Sequence, residues 1–445
     1  MSAPRPTLRG SARGSSTPHR RIRIRTALPV LAALTLGLGA LAPAATAASR
    51  TPISRTALVT DPDSYVNPFV GTTNQADDFP GADVPFGMVQ WSPDTPSRPD
   101  GGGYEYDDSA ITGFSLTHLS GPGCPAEGDV PVLPTVGAVD TSATDAFSHT
   151  EESASPGYYS VQTSNGVTTE LTTTERSGMA RFTFPASTRA NLIFKLNDSA
   201  NGDSNTQFNV VSDTEVSGQV TSGDFCGAAN SYTVYFDMVF DQPFTTDGTD
   251  AVAATLKAPT TKVSAKNSSE PANKPTLHGA EPKTTLSKAK AAAAVTTVND
   301  GYVTFDTSDN QVVQAKVGIS YVSTANAVAN RTQENPKWNF DKTEAAAASA
   351  WTKQLDQIRI SGGTADQDTV FYTALYHASL HPNVISDVNG QYPGFDGTVH
   401  TVDTGHAAAY ANYSSWDIYR SQAQLEALID PQVASDTAES MLNAT

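Results

Sequence analysis

The chain has 445 residues and a formal net charge of -18, with 28 Lys and Arg against 46 Asp and Glu. That length allows two or three domains with sizeable cores. The acidic balance argues against nucleic-acid and anionic-membrane partners, because such a surface repels both; it suits a neutral or cationic substrate, and equally a protein that is merely kept soluble.

Residues 1–47 read as a secretory signal peptide. Arg20, Arg21, Arg23 and Arg25 form a basic start, the run from Ala27 to Leu41 is apolar, and Ala45-Thr46-Ala47 fits the small-x-small cleavage rule. The apolar run is too short to span a bilayer. Arg20-Arg21 hints at twin-arginine export, but the residues after it fit poorly, so the export route stays open. The expected location is outside the cell. Without residues 1–47, 21 basic residues face 46 acidic ones.

After an N-terminal segment, 48–62, residues 63–135 are rich in Gly, Pro and Asp with aromatics between them. "FPGADVPFG" and "SPDTPSRPDGGGYEYDD" cannot be helix and predict long loops between short strands. "SVQTSNGVTTELTTT" predicts a hairpin, with Asn165-Gly166 as a type I′ turn signal. In "YTVYFDMVF" the residues Tyr232, Val234, Phe236, Met238 and Phe240 share one face. Val313, Ala315, Val317, Ile319 and Tyr321 alternate with Gln314, Lys316, Gly318 and Ser320. This period of two means half-buried antiparallel strands, and many such strands predict a β-sandwich over 63–323. Residues 256–294, rich in Lys, Pro, Ser and Ala, read as a disordered insertion within it.

Beyond Asn335 the period changes to helical. Asp341 with Glu344 has capping-box spacing, and Ala347, Trp351 and Leu355 form a stripe. A helical linker is expected over 324–364. From 365 on, three more helices are expected: one stopped by Pro382, one capped by Ser414 or Ser415, and one opening at Pro431. The chain then stops without a C-cap signal, which is the pattern of an incomplete helical domain over 365–445.

Cys124 and Cys226 are the two cysteines. Export permits a disulfide between them; two free thiols are the alternative, and spacing does not decide. Trp91, Tyr104, Tyr106 and Trp416 stand in or beside Asp- and Gly-rich loops. An aromatic face next to carboxylates suits a sugar, whose C–H face packs on the ring while its hydroxyls bond to fixed polar groups; each ring could instead plug the core. Asp417 and Arg420 are three apart on an expected helix, so they would share a face and grip neighbouring hydroxyls. His377 and His381 have metal-ligand spacing, but Ala378 stands where a zincin needs Glu, so they read as structural.

The motifs "YVNPFVGT", "FPGADVPFGMVQWSPDT", "GGYEYDDSAITGFSLTHLSGPGC", "GDVPVLPTVG", "GDFCG" and "SSWDIYR", in this order, resemble glycoside hydrolase family 92. The resemblance implies a secreted, calcium-dependent, inverting exo-α-mannosidase acting on mannose-containing glycans. It also implies an N-terminal β-sandwich followed by an (α/α)6 barrel, of which this chain would hold only the start. Gly102, Gly103, Tyr104, His118, Cys124, Trp416, Asp417 and Arg420 would then line the substrate pocket. The resemblance puts the general acid, the general base and the calcium-holding groups beyond residue 445. No catalytic residue or metal ligand is therefore assigned, and the chain alone is expected to be inactive. The rival expectation is a non-catalytic carbohydrate-binding sandwich. Linkage preference and oligomeric state are not legible.

Overall fold

The computed structural model describes residues 57–98, 100–251 and 298–443. The expected signal peptide, most of the 48–62 segment and the 256–294 insertion lie outside these residues.

Alternation of apolar and polar side chains builds two antiparallel sheets among the described residues. The smaller has six strands in the order Ser92–Asp94, Gly113–Ser115, Val132–Val136, Ala190–Phe194, Val298–Phe305 and Thr246–Ala251. The larger has nine: Ser204–Ser212, Glu215–Gly223, Ser231–Phe240, Val312–Ser320, Ser177–Thr183, Thr168–Thr173, Tyr158–Thr163, Asp145–Ser155 and Ala110–Ile111. One apolar cluster joins their inner faces. Across it, Phe194 stacks on Phe236 with ring centroids 6.0 Å apart, and Phe240 meets Phe305 edge-on at 5.1 Å. Val234, Phe236, Met238 and Phe240 point inward as the alternation requires, as do Val313, Ala315, Val317 and Ile319. Fully burying each such side chain contributes roughly 1.5–3 kcal/mol.

The outer face of the Val312–Ser320 strand is covered too, contrary to the half-buried expectation. Helix α1 (Thr324–Glu334) lies on it, starting before the change of period at Asn335, with Ser323 as its cap. Contact is close at Gly318, where a Cβ would fall 2.2 Å from the Ala327 carbonyl oxygen. Helix α2 (Phe340–Leu355) continues over the same sheet and buries Ala347, Trp351 and Leu355, the expected stripe. Its cap is Asn339 rather than Asp341. Asp341 instead pairs with Arg181 at 2.9 Å, an ion pair that holds the helix start to the sheet.

Helix α3 (Ala365–His377) carries the true capping box, Thr364 with Gln367. It ends at His377, five residues before Pro382, so His377 and His381 do not share a helix. The expected third helix is two: α4 (Ser415–Ile418) and α5 (Gln422–Ile429), broken at the non-helical Ser421. α6 (Pro431–Asn443) begins at its proline. Leu425 and Ile429 pack on a second apolar cluster formed by Phe79, Trp351, Leu355, Tyr372, Leu375, Tyr376 and Leu380, while Leu428 and Leu442 remain exposed.

Two local expectations change. The 163–167 turn holds three residues between the paired Thr163 and Val167, and only Gly166 has positive φ, +86°. It is not type I′, which needs positive φ twice; Asn165 instead spends its side chain on Val167, Pro134 and Asp145. The cysteines are joined: Cys124 and Cys226 form a disulfide with Cα atoms 5.6 Å apart, closing a sequence separation of 102 residues. A loop that long gives about 4–5 kcal/mol of chain-entropy stabilisation at most.

Within the second cluster Asp83 is wholly buried. It accepts a hydrogen bond from the Tyr376 hydroxyl at 3.2 Å, and its other carboxylate oxygen has no partner. Burial pushes its pKa well above the ordinary value, against the opposing bonds from Tyr376 and Trp351. A carboxyl raised in the folded state supports folding only while protonated; that support is present below the unfolded value of about 3.9 and is lost as pH rises toward the folded one. Asp83→Asn should therefore raise Tm at pH 7 by roughly 2–6 °C, equivalent to about 1–2 kcal/mol, and change it little at pH 4. Calorimetry at both pH values checks this; an equal shift at both would refute it.

Candidate functional site

Three loops that glycine and proline keep out of regular structure converge on the end of α3. The first carries Asp77 and Asp78 ahead of Phe79-Pro80-Gly81. The second carries Gly101, Gly102 and Gly103. The third runs from His118 to Gly128. Backbone bonds tie them together: Gly121 N–H donates to the Asp77 carbonyl at 3.0 Å, and Leu119 N–H to the Gly101 carbonyl at 2.9 Å. The glycines are needed for that approach. A Cβ on Gly102 would lie 2.4 Å from the Asp77 carbonyl oxygen, and one on Gly103, with φ of +69°, 2.6 Å from Asp94 Oδ1.

His118 is the pin of this assembly. It is 1 % exposed; its Nδ1 donates to the Gln90 carbonyl at 2.9 Å and its Nε2 meets Asp94 Oδ1 at 3.1 Å. Asp94 also accepts from Ser115 and lies 3.5 Å from Arg98. Burial alone would raise the Asp94 pKa, but Arg98 and His118 hold it below the ordinary value.

Next to the pin are polar atoms left over. Asp78 takes the Ser120 hydroxyl on one oxygen and stands 3.6 Å from His377 Nε2 on the other. Asp77 Oδ1, His377 Nε2 and His381 Nδ1 are buried and have no hydrogen-bond partner. Burial raises the pKa of Asp77 and Asp78; Asp100 and Asp78 add to it at Asp77, whereas His377 and Ser120 oppose it at Asp78. Burial lowers His381, against the pull of nearby Asp417. Buried polar atoms are normally bonded, so each of these three atoms has unused capacity for a hydrogen bond.

The expected site residues divide. Gly102, Gly103 and His118 come together here, and Asp417 acts electrostatically on His381 from α4. Tyr104 does not face this cluster with its hydroxyl: it is fully buried and donates to Glu152 at 2.9 Å. Trp91 is likewise core, with its indole N–H on the Phe114 carbonyl, and Tyr106 stacks on His149 at 3.9 Å. Cys124 is committed to its disulfide and offers no thiol. Trp416 is 84 % exposed, so this ring is free to meet a ligand. Asp417 and Arg420 do not act as a pair. The helix breaks between them, Asp417 takes the Ser414 hydroxyl, and Arg420 turns to Tyr419.

Sequence reasoning passed over Asp77 and Asp78, although two carboxylates just before a Phe-Pro-Gly loop were a usable signal. It set His377 and His381 aside because it tested them only as metal ligands. Among the described residues no group of three or more His, Cys, Asp or Glu is arranged to hold a metal ion. No described helix is long and apolar enough to cross a membrane.

The sequence pattern of the glycosyl hydrolase family 92 N-terminal domain matches residues 65–320, and that of the family 92 catalytic domain matches 326–445. An uncharacterized secreted glycosidase of Arthroderma benhamiae is 27% identical over 354 residues, covering 74% of this chain and 42% of the relative. A family GH92 α-mannosidase from Bacteroides thetaiotaomicron superposes with a TM-score of 0.72 at 30% identity, over 87% of this chain and 49% of its own. That enzyme is also known in complex with mannoimidazole, with a TM-score of 0.71 over 86% of this chain and 48% of its own. This chain thus spans about half the length of these relatives.

The pin and the exposed ring should behave oppositely on truncation. His118→Ala leaves the buried Asp94 carboxylate short of a hydrogen-bond partner, a loss of about 1.5–3 kcal/mol, and should lower Tm by several degrees. Trp416→Ala should leave Tm unchanged. Thermal melts of both variants test this, and a stable His118→Ala protein would remove His118 from its structural role.

Proposed function

Because this chain belongs to glycosyl hydrolase family 92, we propose that it is the N-terminal portion of a secreted glycosidase that removes terminal α-linked mannose from glycans or glycoproteins. The observation that carries the reading is the pair of matches, N-terminal and catalytic, in one chain. The atoms Asp77 Oδ1, His377 Nε2 and His381 Nδ1, none of which has a hydrogen-bond partner, support it, because a sugar presents hydroxyls that both donate and accept. So does the exposed indole of Trp416, which suits the apolar face of a pyranose ring.

In this reading the chain supplies walls of the pocket, and the sandwich-to-helix arrangement is the first part of a larger helical barrel. Inversion requires two carboxyl groups roughly 6.5–9.5 Å apart with a water between them; we assign neither to this chain. Calcium dependence enters through the family resemblance alone. Among the described residues no group of three or more His, Cys, Asp or Glu makes such a site.

The test is kinetic, on the full-length gene product with an aryl α-mannoside. Trp416→Ala and Asp417→Asn should each lower kcat/KM about ten- to a hundredfold, the loss expected for one charged hydrogen bond or one stacking contact of about 1.5–3 kcal/mol. Residues 48–445 alone should show no turnover. Unchanged kinetics in both variants would take α4 out of the pocket. Retention on a mannan column without hydrolysis by the full-length product would make this a binding protein instead.

A further inference from the structure

Behind the third loop, residues 198–204 form a strap that touches both ends of the disulfide. The Asn201 amide donates to the Pro125 carbonyl at 2.7 Å, beside Cys124, and to the Gly223 carbonyl at 2.8 Å, near Cys226. Ala200 N–H donates to the Glu127 carbonyl at 2.8 Å, and the Ser222 hydroxyl to the Gly202 carbonyl at 2.9 Å. The strap is itself closed by Asp203, which accepts the Ser199 N–H at 2.8 Å.

The Ser199 hydroxyl oxygen is 2.6 Å from Asp129 Oδ1 and 2.6 Å from Asp203 Oδ1. A hydroxyl has one hydrogen. It donates to one carboxylate, and the other oxygen stays at that distance only by carrying a proton of its own. Asp129 already accepts from the Thr117 hydroxyl at 2.8 Å and the Tyr232 hydroxyl at 3.0 Å, so it is the ionised member. The proton belongs on Asp203, which lines an open polar cavity of about 350 Å³ and has a route to solvent.

We propose that Asp203, Ser199 and Asp129 share one proton as a latch, and that losing it as pH rises frees the strap and with it the two disulfide-bearing loops. The latch does not depend on the mannosidase reading. Its surroundings leave the second negative charge poorly compensated. Arg98 is the cation that acts on both carboxylates, but it is occupied by Asp94, the Gly128 carbonyl and the Asp198 carbonyl. Glu127, Tyr232 and Tyr321 face Asp129 from the loop and the larger sheet. Asp224 shares the cavity, and Lys195 faces Asp198 and Asp300. Burial pushes Asp203 up to about 7, with Asp129 adding to it and Ser199 and Arg98 opposing.

The readout is the rate at which tris(2-carboxyethyl)phosphine reduces the Cys124–Cys226 bridge in the full chain, normalised to oxidised glutathione at each pH. For a group titrating near neutrality the ionised fraction rises about tenfold from pH 6 to pH 8, and the wild-type rate should rise several-fold with it. Asp203→Asn keeps a permanent donor toward Ser199, so its rate should be slow and flat. Ser199→Ala removes the shared hydroxyl and should be fast and flat. Tm at pH 6 confirms that each variant is folded. A wild-type rate independent of pH, the same rise in Asp203→Asn, or a slow Ser199→Ala would each overturn the latch.

Discussion

The strand Val312–Ser320 is covered on both faces, and the helical half of the described chain is held in place by that cover. Its inner side chains enter the sandwich core. Its outer side is short or polar: Gly318 admits the α1 backbone, Lys316 reaches the Asn335 carbonyl at 3.1 Å and lies over Trp338, and Ser320 donates to Asp387 at 2.8 Å. Asp387 also accepts from Asn326 and Asn330, both at 2.7 Å, so one buried carboxylate joins the strand, α1 and the turn that follows α3. Burial raises its pKa, and three neutral donors work against that. Removing any of them would leave a buried charge with fewer partners, which is costly in a low-dielectric interior.

From that anchor the helices carry α3 to the three glycine-rich loops, and the two halves share the leftover polar atoms. Asp77 belongs to the loops, His377 to the end of α3 and His381 to the segment after it. A site assembled from two layers needs each layer to be rigid before they meet. The loops achieve this with His118 and Asp94, with glycines at close approach, and with the disulfide. The helices achieve it with Trp351 against Tyr376, ring centroids 4.4 Å apart, and with the Trp351 indole on the Asp83 carbonyl.

The acidic composition has a further consequence inside the protein. Carboxylates outnumber cations, so several are buried without one, and they respond in different ways. Asp94 keeps its charge because Arg98 and His118 are near. Glu127, bonded to the Asn412 amide at 2.9 Å with its other oxygen unpartnered, is pushed up to about 8 by burial and by Asp129. It is then mostly a neutral acid at physiological pH, which is the low-energy state of a buried carboxyl with no counterion.

Local pattern was enough for the strands, because a period of two fixes which side chains face the core whatever lies opposite. It was enough for the Ala347–Trp351–Leu355 stripe and for Pro431 at a helix start, where propensity and packing agree. It was enough, through long motifs, for the family. What the sequence could not determine depends on groups far apart in the chain. Asn339 caps α2, while Asp341 pairs with Arg181, 160 residues away. The disulfide joins two loops 102 residues apart in sequence, both of which also bond to Asn201. Tyr104 and Trp91 turn inward because Glu152 and the Phe114 carbonyl offer their polar ends a partner inside. Asp417 and Arg420 separate because the short helix α4 ends at Ile418, between them. In each case the residue type permitted two roles, and the position of a distant partner, which only the tertiary structure sets, chose between them.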